Sequence, residues 1–91
     1  MRTDTKRNCG DRLKRVEGQV RGIARMIEED RYCIDVLTQI RAVRAALRGV
    51  EDEVLKDHVE HCVEGAIASG DGADQRRKVQ ELLTVLTQRD R

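Results

Sequence analysis

Val36, Ile40, Val43, Leu47, Val50 and Val54 recur at steps of three and four, and apolar positions continue through Val63 and Ile67. That period marks one face of an α-helix. The chain contains no proline that would stop it. A helix is therefore predicted from about residue 33 to about residue 68, some 50 Å long at roughly 1.5 Å per residue. Such a helix cannot cover its stripe against one partner of ordinary length. It calls for a second copy of itself, most simply antiparallel.

The flanking segments fit the same plan. Leu13, Val16, Val20, Ile23 and Ile27 also step by three and four, predicting a helix over about residues 11–30 with Asp11 as its N-cap. Gly18 and Gly22 lie inside it, four apart on one face, where another backbone can approach closely. Residues 1–10 are polar and aperiodic and read as a mobile arm. Ser69-Gly70-Asp71-Gly72 is the clearest break, and Val79, Leu82, Leu83 and Leu86 predict a third helix over about residues 73–88. No strand-type alternation of useful length is present. The expectation is an all-α single domain over 11–91, three helices per protomer. Two protomers would form an antiparallel four-helix bundle.

Composition supports association. The 91-residue chain has no Phe or Trp, and Tyr32 is its one aromatic. Leu, Ile, Val and Ala must supply the core, which is thin for a chain this short on its own. The net charge of +1 excludes a uniformly basic binder. Residues 1–50 hold 12 Lys and Arg against 7 Asp and Glu, whereas residues 51–91 hold 6 against 10. A basic first half can meet a polyanion, or both halves are solvated faces laced with ion pairs. No signal-like or membrane-length apolar run follows Met1, so a cytosolic location with reduced thiols is expected.

His58 and Cys62 are four apart, which stacks both side chains on one helical face. Cys33 precedes His58 by 25 residues, about 37 Å along a straight helix at roughly 1.5 Å per residue. One chain cannot bring the three together. In an antiparallel pair, Cys33 of one protomer meets His58 and Cys62 of the other, giving two sites per dimer. Two thiolates and an imidazole form a soft three-donor set suited to Cu(I), whereas zinc prefers a fourth ligand. The alternative is that the cysteines are inert core residues and His58 a surface histidine. His61 reads as a neighbour of the site, and Cys9, in the arm, as a bystander. No Gly-rich catalytic turn or substrate-sized cavity is indicated, so neither an enzyme nor a small organic substrate is expected.

Arg12-Leu13-Lys14-Arg15-Val16-Glu17-Gly18-Gln19-Val20-Arg21-Gly22-Ile23, Arg31-Tyr32-Cys33-Ile34-Asp35-Val36-Leu37-Thr38-Gln39-Ile40 and His58-Val59-Glu60-His61-Cys62 together resemble the copper-sensitive operon repressor family. The resemblance covers about residues 11–86. It implies disc-shaped tetramers without a helix-turn-helix, which bind operator DNA when free of inducer and release it when the inducer binds. It also implies a Cu(I) site of Cys33, His58 and Cys62, with derepression of copper-efflux genes. Nickel/cobalt, persulfide and formaldehyde sensors are the alternatives within the family. The nickel/cobalt branch typically adds an N-terminal His, and this chain has none before position 58. The formaldehyde branch typically has Pro at position 2 and lacks the last Cys, whereas here Arg2 and Cys62 stand. The persulfide branch replaces the His that is kept here as His58. The resemblance further makes Tyr32 and Glu81 supports of the ligand histidine, an outer-shell role that fixes tautomer and orientation. The rival reading of Glu81 is a solvated helix residue.

Two basic ridges are candidates for DNA. Lys14, Arg21 and Arg25, with Arg15 beside them, run along the first helix, and Arg41, Arg44 and Arg48 along the second. Arg12 matches a family position implicated in DNA binding. Arg48 stands next to the corresponding second-helix position, which is Gly49 here. The alternative is that these arginines pair with acidic residues of neighbouring helices.

Overall fold

The computed structural model describes residues 1–88. The last three residues of the domain expected over 11–91 lie outside them. Helix α1 spans Thr3–Glu28 and α2 spans Cys33–Asp57. A π-helical turn, His58–Val63, continues α2 without a break in right-handed helical geometry and leads into α3, Glu64–Ser69. Helix α4 covers Gly72–Gln88. With α2, the π-turn and α3 forming one rod, the described residues make three helical rods and no strand.

The structure corrects the reading of the N-terminus. Residues 3–10 are not an arm: they form the opening turns of α1, with Thr5 and Cys9 buried. Asp11 is interior to the helix, and Arg2 takes the N-cap position without a side-chain cap. Polarity hid this extension, because only two of its residues face inward, and neither is a large hydrophobe.

The first two rods end for local reasons. At the end of α1, Asp30 adopts φ 53°. The Asp30 N–H donates to Ile27 O at 3.1 Å and the Arg31 N–H to Met26 O at 2.9 Å. This pair of bonds is a Schellman closure with aspartate where glycine is usual. Gly70, at φ 72°, ends α3 in the same left-handed region without the steric cost of a side chain, its N–H donating to Ile67 O at 3.2 Å while the Asp71 N–H donates to Ser69 Oγ at 3.2 Å. The Asp71 carboxylate then caps α4, accepting from Ala73 N–H at 3.0 Å and Asp74 N–H at 3.3 Å.

Helix α1 lies along α2, while α4 folds back on α3 and the π-turn. The hydrophobic core of the single chain is small: Cys9, Val16, Val43, Val50 and Ala66. Many large hydrophobes stay at least two-fifths exposed, among them Leu13, Val20 and Ile27 of α1, Leu37 and Leu47 of α2, and Val79, Leu83 and Leu86 of α4, while Ile23, Ile40 and Leu82 are half-buried. The molecule measures 58 × 27 × 14 Å. Its least dimension is close to one helix diameter, about 10–12 Å with side chains. Its radius of gyration is 17.7 Å, against about 12 Å for a compact chain of this length. A single layer of helices has nothing to bury its second face against, and folded domains need two.

Candidate metal centre

The π-turn carries both candidate donors from the C-terminal half. His58 opens it and Cys62 lies near its end, each half-buried. A π-turn takes one residue more per turn than an α-helix, is rare, and is found disproportionately at functional sites. Cys33 is the first residue of α2 and is exposed, and Tyr32, the N-cap, is 68% exposed. The full length of α2 therefore separates Cys33 from His58. Among the described residues no group of three His, Cys, Asp or Glu side chains converges as a metal site within the chain. The structure brings His58 and Cys62 onto one turn and leaves Cys33 at the far end of the rod. Two thiols and one imidazole with accessible atoms are donors of the kind that suit a soft cation, and within one chain the three do not meet.

Glu81 is exposed on α4 and pairs with Lys78 at 3.7 Å. His61 is exposed on the π-turn. Cys9, read as a bystander in an arm, is instead part of α1 and packed between α1 and α2, where burial, and then the charge of Glu53 and a hydrogen bond to it, push its thiol up. Raising a thiol's pKa disfavours the thiolate that binds metals.

Sequence reasoning missed Asp57, which is 5% exposed and immediately precedes His58. Burial on its own would raise this carboxyl. The Arg2 N–H and the Thr5 hydroxyl donate to it, and the N-terminal ammonium and His61 lie nearby, and together they hold it below the ordinary carboxylate range. An aspartate within a predicted helix gave no sign of this, because its donors come from the segment read as an arm.

Of the proposed DNA residues, Lys14, Arg15, Arg21, Arg25, Arg41, Arg44 and Arg48 are exposed. Arg21 pairs with Glu17 at 3.7 Å on the same helix. Arg12 reaches across to Glu53 at 3.7 Å, keeping about half of its side chain in solvent. At about 100° per residue, Lys14, Arg21 and Arg25 lie on the side of α1 opposite buried Cys9 and Val16. The extension of the helix adds exposed Arg7 to the same stripe.

A family model described as metal-sensitive transcriptional repressor matches residues 5–88. The chain belongs to the metal-sensitive transcriptional repressor family. The match includes Thr5 and Cys9, so the added turns of α1 lie within the family domain. The copper-sensing transcriptional repressor RicR of Mycobacterium tuberculosis is 64% identical over 73 residues, 79% of this chain and 76% of that protein. The copper-sensing transcriptional repressor CsoR of Bacillus subtilis is 56% identical over 75 residues, 82% of this chain and 71% of that protein. The crystal structure of the copper-sensing repressor CsoR with Cu(I) from Geobacillus thermodenitrificans superposes with a TM-score of 0.90 at 43% identity, covering 100% of this chain and 92% of that one. The nickel-responsive transcriptional regulator InrS superposes at 0.75 with 37% identity, covering 86% and 88%. These family members are regulators of transcription, not enzymes. Among the described residues no helix is long and apolar enough to cross a membrane.

Proposed function

We propose that this repressor holds operator DNA in its metal-free state and releases it when Cu(I) occupies a site made of Cys33 from one protomer and His58 and Cys62 from its neighbour, switching on copper-efflux genes in the cytosol. One observation carries the reading. The donors sit at opposite ends of a rod whose apolar faces are uncovered, so an antiparallel second copy covers the apolar surface and completes the donor set together. When bound, Cu(I) supplies a soft centre satisfied by few ligands, which suits three donors without a fourth. Pairing of dimers into a tetramer is the natural use of the remaining exposed face of α4, with Val79, Leu83 and Leu86.

Tyr32, beside Cys33, and Glu81, on the helix packed against the π-turn, are the proposed outer partners that hold the His58 ring in one tautomer. The phosphates are held by the α1 stripe of Lys14, Arg21 and Arg25 with Arg15 and Arg12, and by Arg41, Arg44 and Arg48 on α2. Such contacts set position and affinity rather than base sequence, so the shape of the operator contributes to its choice. Release requires that the metal-loaded and DNA-bound arrangements disfavour one another. A coupling of about 1–3 kcal/mol changes affinity roughly 5- to 150-fold, and DNA then weakens metal binding equally.

Nickel is the second reading, because a nickel-responsive regulator shares the fold. Against it stand the copper-sensing relatives at higher identity and the absence of histidine before position 58. An operator-binding titration in anaerobic buffer, with Cu(I), Ni(II), Zn(II) and formaldehyde added separately, decides. Release by Cu(I) at one equivalent per protomer is expected. Release by Ni(II) or formaldehyde at concentrations where Cu(I) is silent would overturn the assignment.

A further inference from the structure

Asp57 is the one charged side chain buried among the described residues. It ends α2 directly before the π-turn that bears His58 and Cys62. Its Oδ1 accepts the Arg2 N–H at 3.2 Å, across 55 residues of sequence, and its carboxylate also accepts the Thr5 hydroxyl. Both donors belong to the start of α1, and Thr5 is itself buried. Arg2 adds a second tie to the π-turn through Glu60, at 3.8 Å. That pair is half exposed and contributes little, whereas buried hydrogen bonds are costly to leave unmade. The same helix carries Arg7, Lys14, Arg21 and Arg25 on its outer side. The ligand-bearing turn and the basic helix are thus joined at one buried carboxylate.

We propose that Asp57 is a positioning residue: its hydrogen bonds to Arg2 and Thr5 set the metal-free register of the His58–Cys62 turn and pass a change in that turn to the basic face of α1. The proposal rests on the copper-responsive reading above for its consequence at DNA, but not for its effect on the metal-free protein. An anchor with a purely structural role lowers stability without altering the π-turn in the folded protein or the linkage between metal and DNA.

The test uses the full-length oligomer. Thr5→Val removes one donor with almost no change of shape, and Asp57→Ala removes the acceptor. Arg2→Ala keeps the N–H and serves as a control. Amide hydrogen exchange of residues 58–63 in metal-free protein is expected to quicken roughly 2- to 10-fold in Thr5→Val and Asp57→Ala, and little in Arg2→Ala. The ratio of operator affinities without and with Cu(I) is expected to change by about 2- to 30-fold in the same two variants, with effects that do not add in the double variant. Wild-type exchange over residues 58–63 in both variants would overturn the proposal. So would strictly additive effects on the affinity ratio. If the wild type does not release DNA with Cu(I), the copper reading fails, and the exchange data still decide the role of Asp57.

Discussion

The Cys9 thiol donates its hydrogen to the Glu53 carboxylate, between α1 and α2. This contact explains why the thiol is kept neutral: burial penalises the thiolate first, and a neighbouring carboxylate repels it further. Cys33, in contrast, is exposed and Cys62 half-buried. In metal-free protein at neutral pH, iodoacetamide should modify Cys33 first and Cys9 last, by at least an order of magnitude in rate. Mass spectrometry of peptides after timed alkylation reads the order directly. Modification of Cys9 as fast as Cys33 would contradict the packing described.

The same thiol has a pH signature. Its folded pKa lies above its unfolded one, so the stability it contributes is fully present below the unfolded value and is lost as pH rises through the folded value. Urea midpoints of the wild type should therefore fall more steeply on the alkaline side of the ordinary thiol range than those of Cys9→Ala, at fixed protein concentration. Parallel alkaline slopes for the two proteins would show that Cys9 does not ionise with unfolding.

Arg7 tests the outer stripe of α1. Arg7→Ala should weaken operator binding and make it less salt-dependent, with the slope of log affinity on log salt shrinking by about 0.9 for each phosphate that the protein no longer neutralises. Fluorescence anisotropy across a salt series measures this. Leu13→Ala, on the same helix but away from the stripe, should leave the slope alone. An unchanged slope in Arg7→Ala would confine the DNA face to residues after Cys9.

Much of this architecture was legible in the stripes of α1, α2 and α4, because three-and-four spacing of aliphatic residues has one local solution. The opening turns of α1 were not, since their inward residues are Thr5 and Cys9 and their partners lie on α2. The π-turn had a visible trace. Val54 and Val63 are nine residues apart, about half a turn out of phase at 100° per residue. Absorbing one residue in a wide turn reduces that mismatch to about 80°. Spacing alone does not say where the extra residue goes, and the structure places it at His58–Val63. The donors were legible as residue types at a spacing. Asp57 was not, because its role comes from donors 52 and 55 residues earlier, Thr5 and Arg2.

Asp30, in the left-handed region at the end of α1, gives a stability prediction. Aspartate tolerates this conformation better than most residues, and a β-branched side chain tolerates it poorly. Asp30→Val should cost about 1–2 kcal/mol, while Asp30→Gly should be neutral or mildly stabilising. Denaturant titrations at one protein concentration compare them, and equal midpoints for Val and Gly would mean the turn rearranges.

The sharing of a site between chains has the most direct test. Cys33→Ala protomers lack one donor, and His58→Ala/Cys62→Ala protomers lack the other two. Neither variant alone should bind Cu(I) tightly. In an antiparallel dimer of one with the other, one end pairs the two defects and the other end recovers Cys33, His58 and Cys62 intact. Random re-assortment makes half the dimers mixed, each with one site in two. The mixture should therefore recover about a quarter of the wild-type capacity at wild-type affinity. Competition against a Cu(I) chelator, after partial unfolding and refolding together to exchange subunits, measures both quantities. Capacity no greater than that of the separate variants, with subunit exchange verified by differential tags, would place the donors within one chain or remove Cys33 from the site.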